Sequence, residues 1–337
     1  MSSNKLTIGI SCGDLNGVGI EILIKIFNHK DLLENCTPVL YCPINALKYY
    51  KKNLGFNNFE YVEIQKIENK IPGLLNIIPI INHDINIKPG RVDELLGKLA
   101  LESIDMVLSD IAKGSVDVFV TLPINKETVS KYSQGFQGHT EYITQKLNHN
   151  SKSLMFLCSE KLKIATITNH LQLSKVSNNI TKKILEQKIE IVINSLINDF
   201  LVIKPKVAVL ALNPHAGDSG LIGDEEIDIL KPYIDNYNHE RSVLVGPFSS
   251  DAFFGSKNYK NFDAIIGMYH DQSLIPFKLL SFGSGVNYTA GLKTVRVSPD
   301  HGVAYDIAGK NIADESSLEA AIKMGIEIFL NRQKIKI

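Results

Sequence analysis

Three histidines each follow a short apolar run, a placement that suits a metal site. His170 ends the segment KIATITNH, His215 ends KVAVLALNPH and His270 ends AIIGMYH. In an open parallel sheet, ligands bind outside the carboxyl ends of the strands. Imidazoles from three strand ends could hold one divalent cation there and leave coordination positions open. A single histidine after a strand is more often a hydrogen-bonded loop residue, so the metal hypothesis depends on all three sharing one context.

Two further segments carry groups that could bind an anion or a nucleotide. GHTEY places His139 and Thr140 at the start of a helix predicted from Gly138 to about Leu147, and a helix N-terminus with such side chains suits a phosphate. The alternative is that Thr140 only caps the helix. The segment SPDHGVAYDIAGKNIADESS predicts one long polar loop before the last helix, and loops of that length inside a compact domain are usually functional.

A glycine-rich turn, SCGDLNGVGIE, separates the first predicted strand from a helix. Its glycines match neither G-x-G-x-x-G nor G-x-x-x-x-G-K-[ST], so the usual Rossmann and P-loop interpretations fail. The turn by itself indicates only that the backbone approaches another group closely.

Predicted strands alternate with predicted helices, which favours an α/β fold with a largely parallel sheet. The clearest helix is Arg91–Lys113, which Gly114 ends. Ile180–Ile197 is another, and SSLE at Ser316 predicts a capping box that opens a final helix to about Arg332. The predicted strands are Leu6–Ser11, Thr37–Tyr41, Val116–Thr121, Lys163–Thr168, Lys206–Leu212, Ala264–Met268 and Lys293–Val297.

The overall composition narrows the possible classes of protein. With 337 residues, 44% of them hydrophobic, the chain can form one large or two medium domains. Lys+Arg 36 balances Asp+Glu 36, so there is no electrostatic case for a nucleic acid or a membrane surface as partner. No C-x-x-C pair, signal-peptide core or apolar run of about 18 residues is present. We therefore expect a soluble, cytoplasmic α/β protein.

The segments GHTEY, NPHAGDSG, MYHDQ, GVNYTAGL and DHGVAYDIAGKNIAD occur in the order found in 4-hydroxythreonine-4-phosphate dehydrogenases of the vitamin B6 pathway. The chain resembles that family over nearly its whole length. The last loop is also similar to the NAD-binding loop of the wider isocitrate and isopropylmalate dehydrogenase superfamily. This resemblance implies two α/β/α domains with largely parallel sheets, an active site in the interdomain cleft, and a homodimer in which the partner subunit completes that site.

The domains expected on this basis are residues 1–130 plus 285–337, with the NAD-binding loop, and residues 131–284, with the metal histidines and much of the dimer contact. His170, His215 and His270 match the family's metal ligands. The matched substrate-binding positions are His139, Thr140, Lys278, Asn287 and Arg296. The matched cofactor positions are His301, Gly302, Ala304, Asp306 and Asp314. Candidate catalytic residues for accepting the proton are Asp251, Asp271 and Lys126.

The implied reaction is the oxidation of 4-phosphohydroxy-L-threonine by NAD or NADP, with one divalent metal ion (zinc, magnesium or cobalt) at each site. Its product, 2-amino-3-oxo-4-phosphohydroxybutyrate, decarboxylates to 3-amino-2-oxopropyl phosphate in pyridoxine 5′-phosphate biosynthesis. A metal ion would lower the pKa of the substrate hydroxyl and stabilise negative charge on its oxygen. If the backbone at Asp271 is extended, its side chain points away from that of His270, which favours a contact with substrate or with a metal ligand.

Two alternatives stay open. A paralogous dehydrogenase for D-erythronate or D-threonate 4-phosphate would share the phosphate, metal and cofactor sites, whereas a phosphate acyltransferase-like enzyme would need neither the histidines nor the NAD loop. Four positions depart from the family pattern: Leu15 and Ile20 replace prolines, Leu122 replaces a small residue and Ser273 replaces a glycine. These departures leave room for a changed substrate preference, and Ser273 is the position from which we most expect it.

Overall fold

The structure, a computed structural model, describes residues 5–147, 152–237 and 241–335. The strands are β1 (Leu6–Ser11), β2 (Cys36–Tyr41), β3 (Tyr61–Glu63), β4 (Leu75–Ile78), β5 (Val118–Thr121), β6 (Leu154–Cys158), β7 (Lys163–Thr166), β8 (Lys206–Leu210), β9 (Val243–Phe248), β10 (Ala264–Gly267), β11 (Val286–Ala290) and β12 (Val295–Pro299). The α-helices are α1 (Gly19–Asn28), α2 (Ile44–Asn53), α3 (Glu94–Ala112), α4 (Lys126–Ser130), α5 (His139–Leu147), α6 (Val176–Asn179), α7 (Lys182–Asn198), α8 (Lys231–Asp235), α9 (Ser250–Gly255), α10 (His270–Ser281) and α11 (Ser316–Ile335).

The chain divides into two compact units. Unit 1 comprises Met1–Ser151 and Leu292–Phe329, and unit 2 comprises Lys152–Gly291 and Leu330–Ile337. The expected boundaries, after residues 130 and 284, fall inside unit 1 and unit 2 respectively. Residues 131–147 stay in unit 1 because α5 packs on α3, where the Tyr142 hydroxyl donates to Asp105 at 2.7 Å. Residues 286–290 stay in unit 2 because β11 pairs with β6.

Unit 1 contains six parallel strands in the order β3-β4-β2-β1-β5-β12. Every residue of β2, β4, β5 and β12 is buried. This burial is expected, because strands of a parallel sheet are covered on both faces. A core cluster around Val39, Ile104, Val107 and Phe119 packs α3 against this sheet.

Unit 2 contains six strands in the order β11-β6-β7-β10-β8-β9. The four strands β7, β10, β8 and β9 are parallel, while β6 and β11 add an antiparallel edge. The histidine-bearing segments therefore follow three adjacent parallel strands, β7, β10 and β8, and leave them at the same sheet edge. The expected α/β fold with largely parallel strands is confirmed in both units.

The predicted helices are present with small changes at their ends. Asp93 caps α3 by accepting from Leu95 N at 2.9 Å, and Gly114 adopts a positive φ of 74° just after the helix, as expected for a glycine in that position. The capping box predicted at Ser316 is wrong. Ser316 is already the first residue of α11, and its backbone N–H donates to the carboxylate of Asp314 at 2.8 Å. Asp314, and not Ser316, therefore supplies the side chain at the start of this helix.

Two expectations about chain class are also tested. All four cysteines are buried and free of disulfide bonds. Among the helices in the described part of the chain, none is long and apolar enough to cross a membrane.

Candidate active site

Three loops of unit 1 leave one sheet edge together. The glycine-rich turn follows β1, the segment before α4 follows β5, and residues 300–315 follow β12. We call residues 300–315 the cofactor loop, after the role that the family resemblance implies for them. These three strands are neighbours in the sheet and parallel, so their carboxyl ends coincide. This is the edge at which ligands bind in open α/β sheets.

Arg296 lies beneath this edge, inside β12, and is only 1% exposed. Its guanidinium donates to the hydroxyl of Thr121 at the end of β5 and lies 3.5 Å from the hydroxyl of Thr140 on α5. Burial lowers the pKa of Arg296 to about 9. The group therefore stays charged at neutral pH, and an anion beside it would favour the charge further.

His139 is the first residue of α5 and faces the same place. The residue as a whole is half-buried, but the ring Nε2 is buried without a hydrogen-bond partner among the described residues. Burial, followed by the charges of Arg296 and Lys126, holds the pKa of His139 well below 6.5. The ring is therefore neutral at pH 7 and carries one N–H that can donate to a ligand.

Lys126, His139, Thr140 and Arg296 together form what we call the anion group. Lys126 Nζ lies near the backbone of Gly138, 3.8 Å from the point that a Cβ atom there would occupy. Two cations, a hydroxyl, an imidazole and the N-terminus of α5 thus meet in unit 1. This combination suits a phosphate, because fixed donors and the helix dipole all favour negative charge. The capping role considered for Thr140 does not apply, since α5 begins one residue earlier.

Two of the three strand-end histidines lie together in unit 2. The ring centroids of His170 and His270 are 5.6 Å apart. Helix α10 begins at His270, and His270 Nδ1 is 2.7 Å from Asp271 Oδ1. The condition under which these side chains would point apart, an extended backbone at Asp271, is not met, because the helix begins at His270. Asp271 thereby orients the ring of His270 and leaves its Nε2 for a ligand.

His215 occupies an unusual turn, which we call the left-handed turn. Residues 215–219 all have φ between 44° and 79°, and four of the five are not glycine. Such a conformation costs about 1–2 kcal/mol for each non-glycine residue, so neighbouring contacts must hold it. Glu226, only 3% exposed, accepts from Leu212 N at 2.7 Å and from Asn213 N at 2.8 Å.

The residues of unit 2 fit a metal ion in part. Imidazole donors are appropriate for zinc or cobalt, and the Asp271–His270 pair resembles the support that metal-bound histidines usually have. Among the described residues, however, no group of three or more His, Cys, Asp or Glu side chains is arranged to hold a metal ion. Two imidazoles are adjacent, and His215 lies close enough to Asp251 to favour its carboxylate charge. The metal-binding role of the three histidines stays a prediction.

The other predicted residues of unit 2 have the following surroundings. Asp251 is exposed, and its Oδ1 accepts from Ser249 at 2.6 Å. This hydrogen bond is the main reason why the pKa of Asp251 is lowered. Asn287 lies on β11 with its Oδ1 buried and, in the described part of the chain, without a hydrogen-bond partner. Lys278 is half-buried in the last turn of α10.

The cofactor loop of unit 1 is irregular throughout, as predicted. His301 Nδ1 contacts its neighbouring carbonyl at 3.0 Å, whereas its Nε2 is buried with no partner among the described residues. That orphaned atom fits a ligand. Gly302 has open space where a Cβ would lie, Ala304 has a φ of 45°, and Asp306 is exposed. Asp314 caps α11, which lowers its pKa.

Two residues that position this chemistry were not singled out from the sequence. Gln272 accepts from Met268 N at 2.5 Å and donates to Ala211 O at 2.6 Å and to Ser250 at 2.8 Å. It thereby ties the ends of β10 and β8 to the start of α9. Thr121 supports Arg296. Gln272 stands within the MYHDQ segment, but its role depends on strand adjacency that spacing does not reveal.

Ser273 does not occupy the place expected of a residue that contacts substrate. It is 0% exposed and its Oγ faces Ala165 O at 3.5 Å, between α10 and the sheet. Since α10 begins at His270, Ser273 falls on the buried face of the first turn. Any influence on substrate preference would therefore have to be indirect.

Comparisons with known proteins agree with this arrangement. A family model described as "Pyridoxal phosphate biosynthetic protein PdxA" matches residues 34–325. A 4-hydroxythreonine-4-phosphate dehydrogenase from Bacteroides thetaiotaomicron is 41% identical over 100% of this chain and 92% of its own length. A D-threonate 4-phosphate dehydrogenase from Salmonella typhimurium is 32% identical over 96% of this chain and 98% of its own.

A solved structure is similar as well. The crystal structure of a 4-hydroxythreonine-4-phosphate dehydrogenase from Klebsiella pneumoniae has a TM-score of 0.79 at 30% identity, covering 97% of this chain and 100% of that one. The match spans both units and includes the loops that carry the anion group and the strand-end histidines. The chain therefore belongs to the pyridoxal phosphate biosynthetic PdxA family.

Proposed function

We propose that this protein is a dehydrogenase that oxidises 4-phosphohydroxy-L-threonine with NAD or NADP and releases the product for decarboxylation. The observation that carries this proposal is the anion group, in which Arg296, Lys126 and His139 converge at the N-terminus of α5 within a chain whose relatives include dehydrogenases of that name. Glu141 is the carboxylate that already acts on Arg296, and the substrate phosphate would add the negative charge that the second cation, Lys126, calls for.

In this proposal the anion group binds and orients the substrate. Arg296 and Lys126 compensate the charge of the phosphate, Thr140 and the neutral His139 donate hydrogen bonds, and Thr121 keeps the guanidinium in place. Lys126 is therefore a phosphate-binding residue in our assignment and not the proton acceptor. Lys278 and Asn287 of unit 2 stay candidates for the substrate's remaining polar groups.

His170, His215 and His270 would hold a divalent ion, which when bound supplies positive charge that stabilises a developing oxyanion. Asp271 fixes the ring orientation of His270 through the bond to Nδ1. Asp251 is the proton acceptor we favour, because it is exposed and its carboxylate lies near His215. This carboxylate would take the proton of the substrate hydroxyl, and NAD or NADP, when bound, would supply the acceptor for the hydride of the carbon that bears that hydroxyl.

The reaction then continues without further oxidation. The bond between the α-carbon and the carboxylate breaks, carbon dioxide leaves, and the electron pair forms an enolate with the neighbouring ketone. The α-carbon of this enolate then takes up a proton, which gives 3-amino-2-oxopropyl phosphate. We further propose the homodimer that the family resemblance implies. Light scattering of the purified protein tests it, and a monomeric mass at working concentration would contradict it.

A second candidate is supported by relatives named for another substrate. The Salmonella typhimurium protein and a putative D-threonate 4-phosphate dehydrogenase from Oceanobacillus iheyensis, 34% identical over 97% of this chain, carry that name. D-Threonate 4-phosphate has a hydroxyl where 4-phosphohydroxy-L-threonine has an amino group, so the same anion group would serve both. An assay in which the two esters compete for the enzyme decides which of them is the preferred substrate.

The test follows formation of the reduced cofactor by absorbance. Purified protein receives NAD or NADP with 4-phosphohydroxy-L-threonine, D-threonate 4-phosphate or D-erythronate 4-phosphate, before and after chelation and resupply of zinc, magnesium or cobalt. We expect the highest kcat/KM with the amino acid ester and a loss of activity on chelation. If no ester gives reduced cofactor, the proposal that the protein is a dehydrogenase is wrong. The phosphate acyltransferase-like alternative would then be tested next. Asp251→Asn and Asp271→Asn distinguish the proposed proton acceptor from the orienting carboxylate, because only the former should abolish kcat.

A further inference from the structure

The glycine-rich turn and helix α1 supply no group to the sites described above, but they are bonded to the cofactor loop at several points. Glu21 is 0% exposed. Its Oε2 accepts from Gly309 N at 2.9 Å and its Oε1 accepts from Ala313 N at 3.1 Å. One buried carboxylate thus bridges two amides of the loop, and charge-assisted bonds of this kind are about twice as strong as neutral ones.

Lys25, one helical turn later, reinforces the same contact. Its Nζ donates to Ala313 O at 2.5 Å and lies 3.6 Å from Glu21 Oε1. Ala313 is therefore held through its amide by Glu21 and through its carbonyl by Lys25. The two side chains also compensate each other's charge, which makes their burial tolerable.

The turn itself holds the beginning of the loop. Val18 N donates to Val303 O at 3.0 Å, and the Tyr305 hydroxyl donates to Asp14 at 2.6 Å. A Cβ on Gly17 would lie 2.9 Å from Val303 O, so a larger residue would push the loop away. The group that this turn approaches is therefore the protein's own loop and not a ligand phosphate.

We propose that Glu21, with Lys25, is a positioning residue that keeps the cofactor loop in the shape that binds the dinucleotide. The proposal rests on the proposed function in one respect, the assignment of this loop to NAD or NADP. The orphaned, buried Nε2 of His301 on the same loop supports that assignment. A ligand that binds only the ordered loop has an apparent Kd equal to its intrinsic Kd divided by the ordered fraction. Loosening the loop therefore weakens dinucleotide binding without removing any atom that touches it.

The experiment compares the wild type with Glu21→Gln and Lys25→Met. Calorimetry measures binding of NAD and of NADP in the absence of substrate, and hydrogen exchange measures protection of residues 303–314. We expect the dinucleotide Kd to rise about tenfold in Glu21→Gln, as for an ordered fraction falling to about one tenth, with faster exchange in the loop. The KM for the dinucleotide should rise in parallel, while kcat at saturating dinucleotide and the KM for the phosphate ester stay within about twofold.

Tyr41→Phe is the matched control. It removes a buried hydrogen bond of similar length, 2.7 Å to Asp110, elsewhere in unit 1, so it should lower stability without changing the Kd for the dinucleotide. Lys25→Met serves if Glu21→Gln fails to fold. Unchanged Kd and unchanged exchange in the altered proteins, or an equal loss of affinity in Tyr41→Phe, would overturn the proposal. If the wild type binds neither dinucleotide, the proposed function fails, and the exchange data alone then decide whether Glu21 holds the loop.

Discussion

At the scale of the residue, the anion group depends on side chains that neighbouring strands bring together around Arg296. A lone arginine in the apolar segment VRVS is visible in the sequence, but only the structure puts it at 1% exposure beneath Thr121 and Thr140. The closeness of Lys126 to His139 could not be predicted either, because it depends on which strand lies beside β5. The anion group is thus a product of strand order.

The anion group should make the protein more stable in the presence of phosphate. A ligand at ten times its Kd adds about 1.4 kcal/mol to the free energy of unfolding, which corresponds to ~3–5 °C in Tm for a unit of this size. Arg296→Met should abolish most of this shift and raise the KM for the phosphate ester more than it lowers kcat. Differential scanning fluorimetry with phosphate, and with chloride at equal ionic strength, measures it. An equal phosphate shift in Arg296→Met would refute the assignment.

His139 should make stability depend on pH. Its pKa is held well below 6.5 in the folded protein, while the unfolded chain titrates near 6.5. At a pH between the folded and the unfolded pKa of His139, the unfolded state binds more protons than the folded state. The full contribution of His139 to the free energy of unfolding is therefore present above pH 6.5. It decreases as the pH falls below 6.5, by at most about 1.4 kcal/mol per pH unit. Urea unfolding at pH 7.5 and 5.5 should show a smaller difference for His139→Gln than for the wild type. The same difference in both proteins would count against a buried neutral imidazole.

At the scale of the element, long periodic or wholly apolar segments were predictable and short ones were not. Helix α3 and strand β1 agree closely with their predicted ranges. Strand β3 has only three residues, and pairing with β4, not its own composition, makes it a strand. The left-handed turn at His215 was not foreseen. Histidine, glycine and aspartate each tolerate a positive φ singly, but the sequence does not predict five such residues in succession with alanine and serine among them.

The left-handed turn should be relieved by glycine at one of its non-glycine positions. Ala216 has a φ of 54°, so Ala216→Gly removes a strain of about 1–2 kcal/mol and adds back roughly 0.5–1 kcal/mol of chain entropy in the unfolded state. We expect a net gain in stability of about 0.5–1 kcal/mol. The matched change Ala320→Gly, inside right-handed α11, should instead lose about 1 kcal/mol. Chemical denaturation measures both, and a loss in Ala216→Gly would contradict the strained geometry.

At the scale of the whole molecule, the largely parallel direction of the strands was predictable from the sequence. The residues at which the chain divides into its two units were not. The last residues of α11 belong to unit 2 because Arg332 Nε donates to Asp199 at 2.6 Å and the Tyr288 hydroxyl donates to the same carboxylate at 2.6 Å. Nothing in the spacing of these three residues reveals their contact. Long-range pairs of this kind exist only once the fold has formed.

Breaking this buried pair should destabilise unit 2. Asp199 is 3% exposed in its side chain and Arg332 19%, so Arg332→Met leaves a buried carboxylate poorly compensated. We expect a loss of about 2–4 kcal/mol in the free energy of unfolding. The exposed pair Lys30–Glu60, at 63% and 61%, provides the control, since Lys30→Met should change stability by less than about 1 kcal/mol. If Arg332→Met and Lys30→Met lower the free energy of unfolding equally, burial does not strengthen the Arg332–Asp199 pair.

The packing of Ser273 on Gly267 restricts the order in which substitutions can accumulate in this protein. A methyl group on Gly267 would overlap Ser273 Oγ, because α10 crosses β10 closely there. With serine at 273, alanine at 267 is therefore disfavoured, because the serine hydroxyl would have to leave its present rotamer. With glycine at 273, the residue that the family resemblance leads us to expect there, most of the obstruction disappears. The effects of changes at the two positions should therefore depend on each other, and a change at 273 before one at 267 is the easier order.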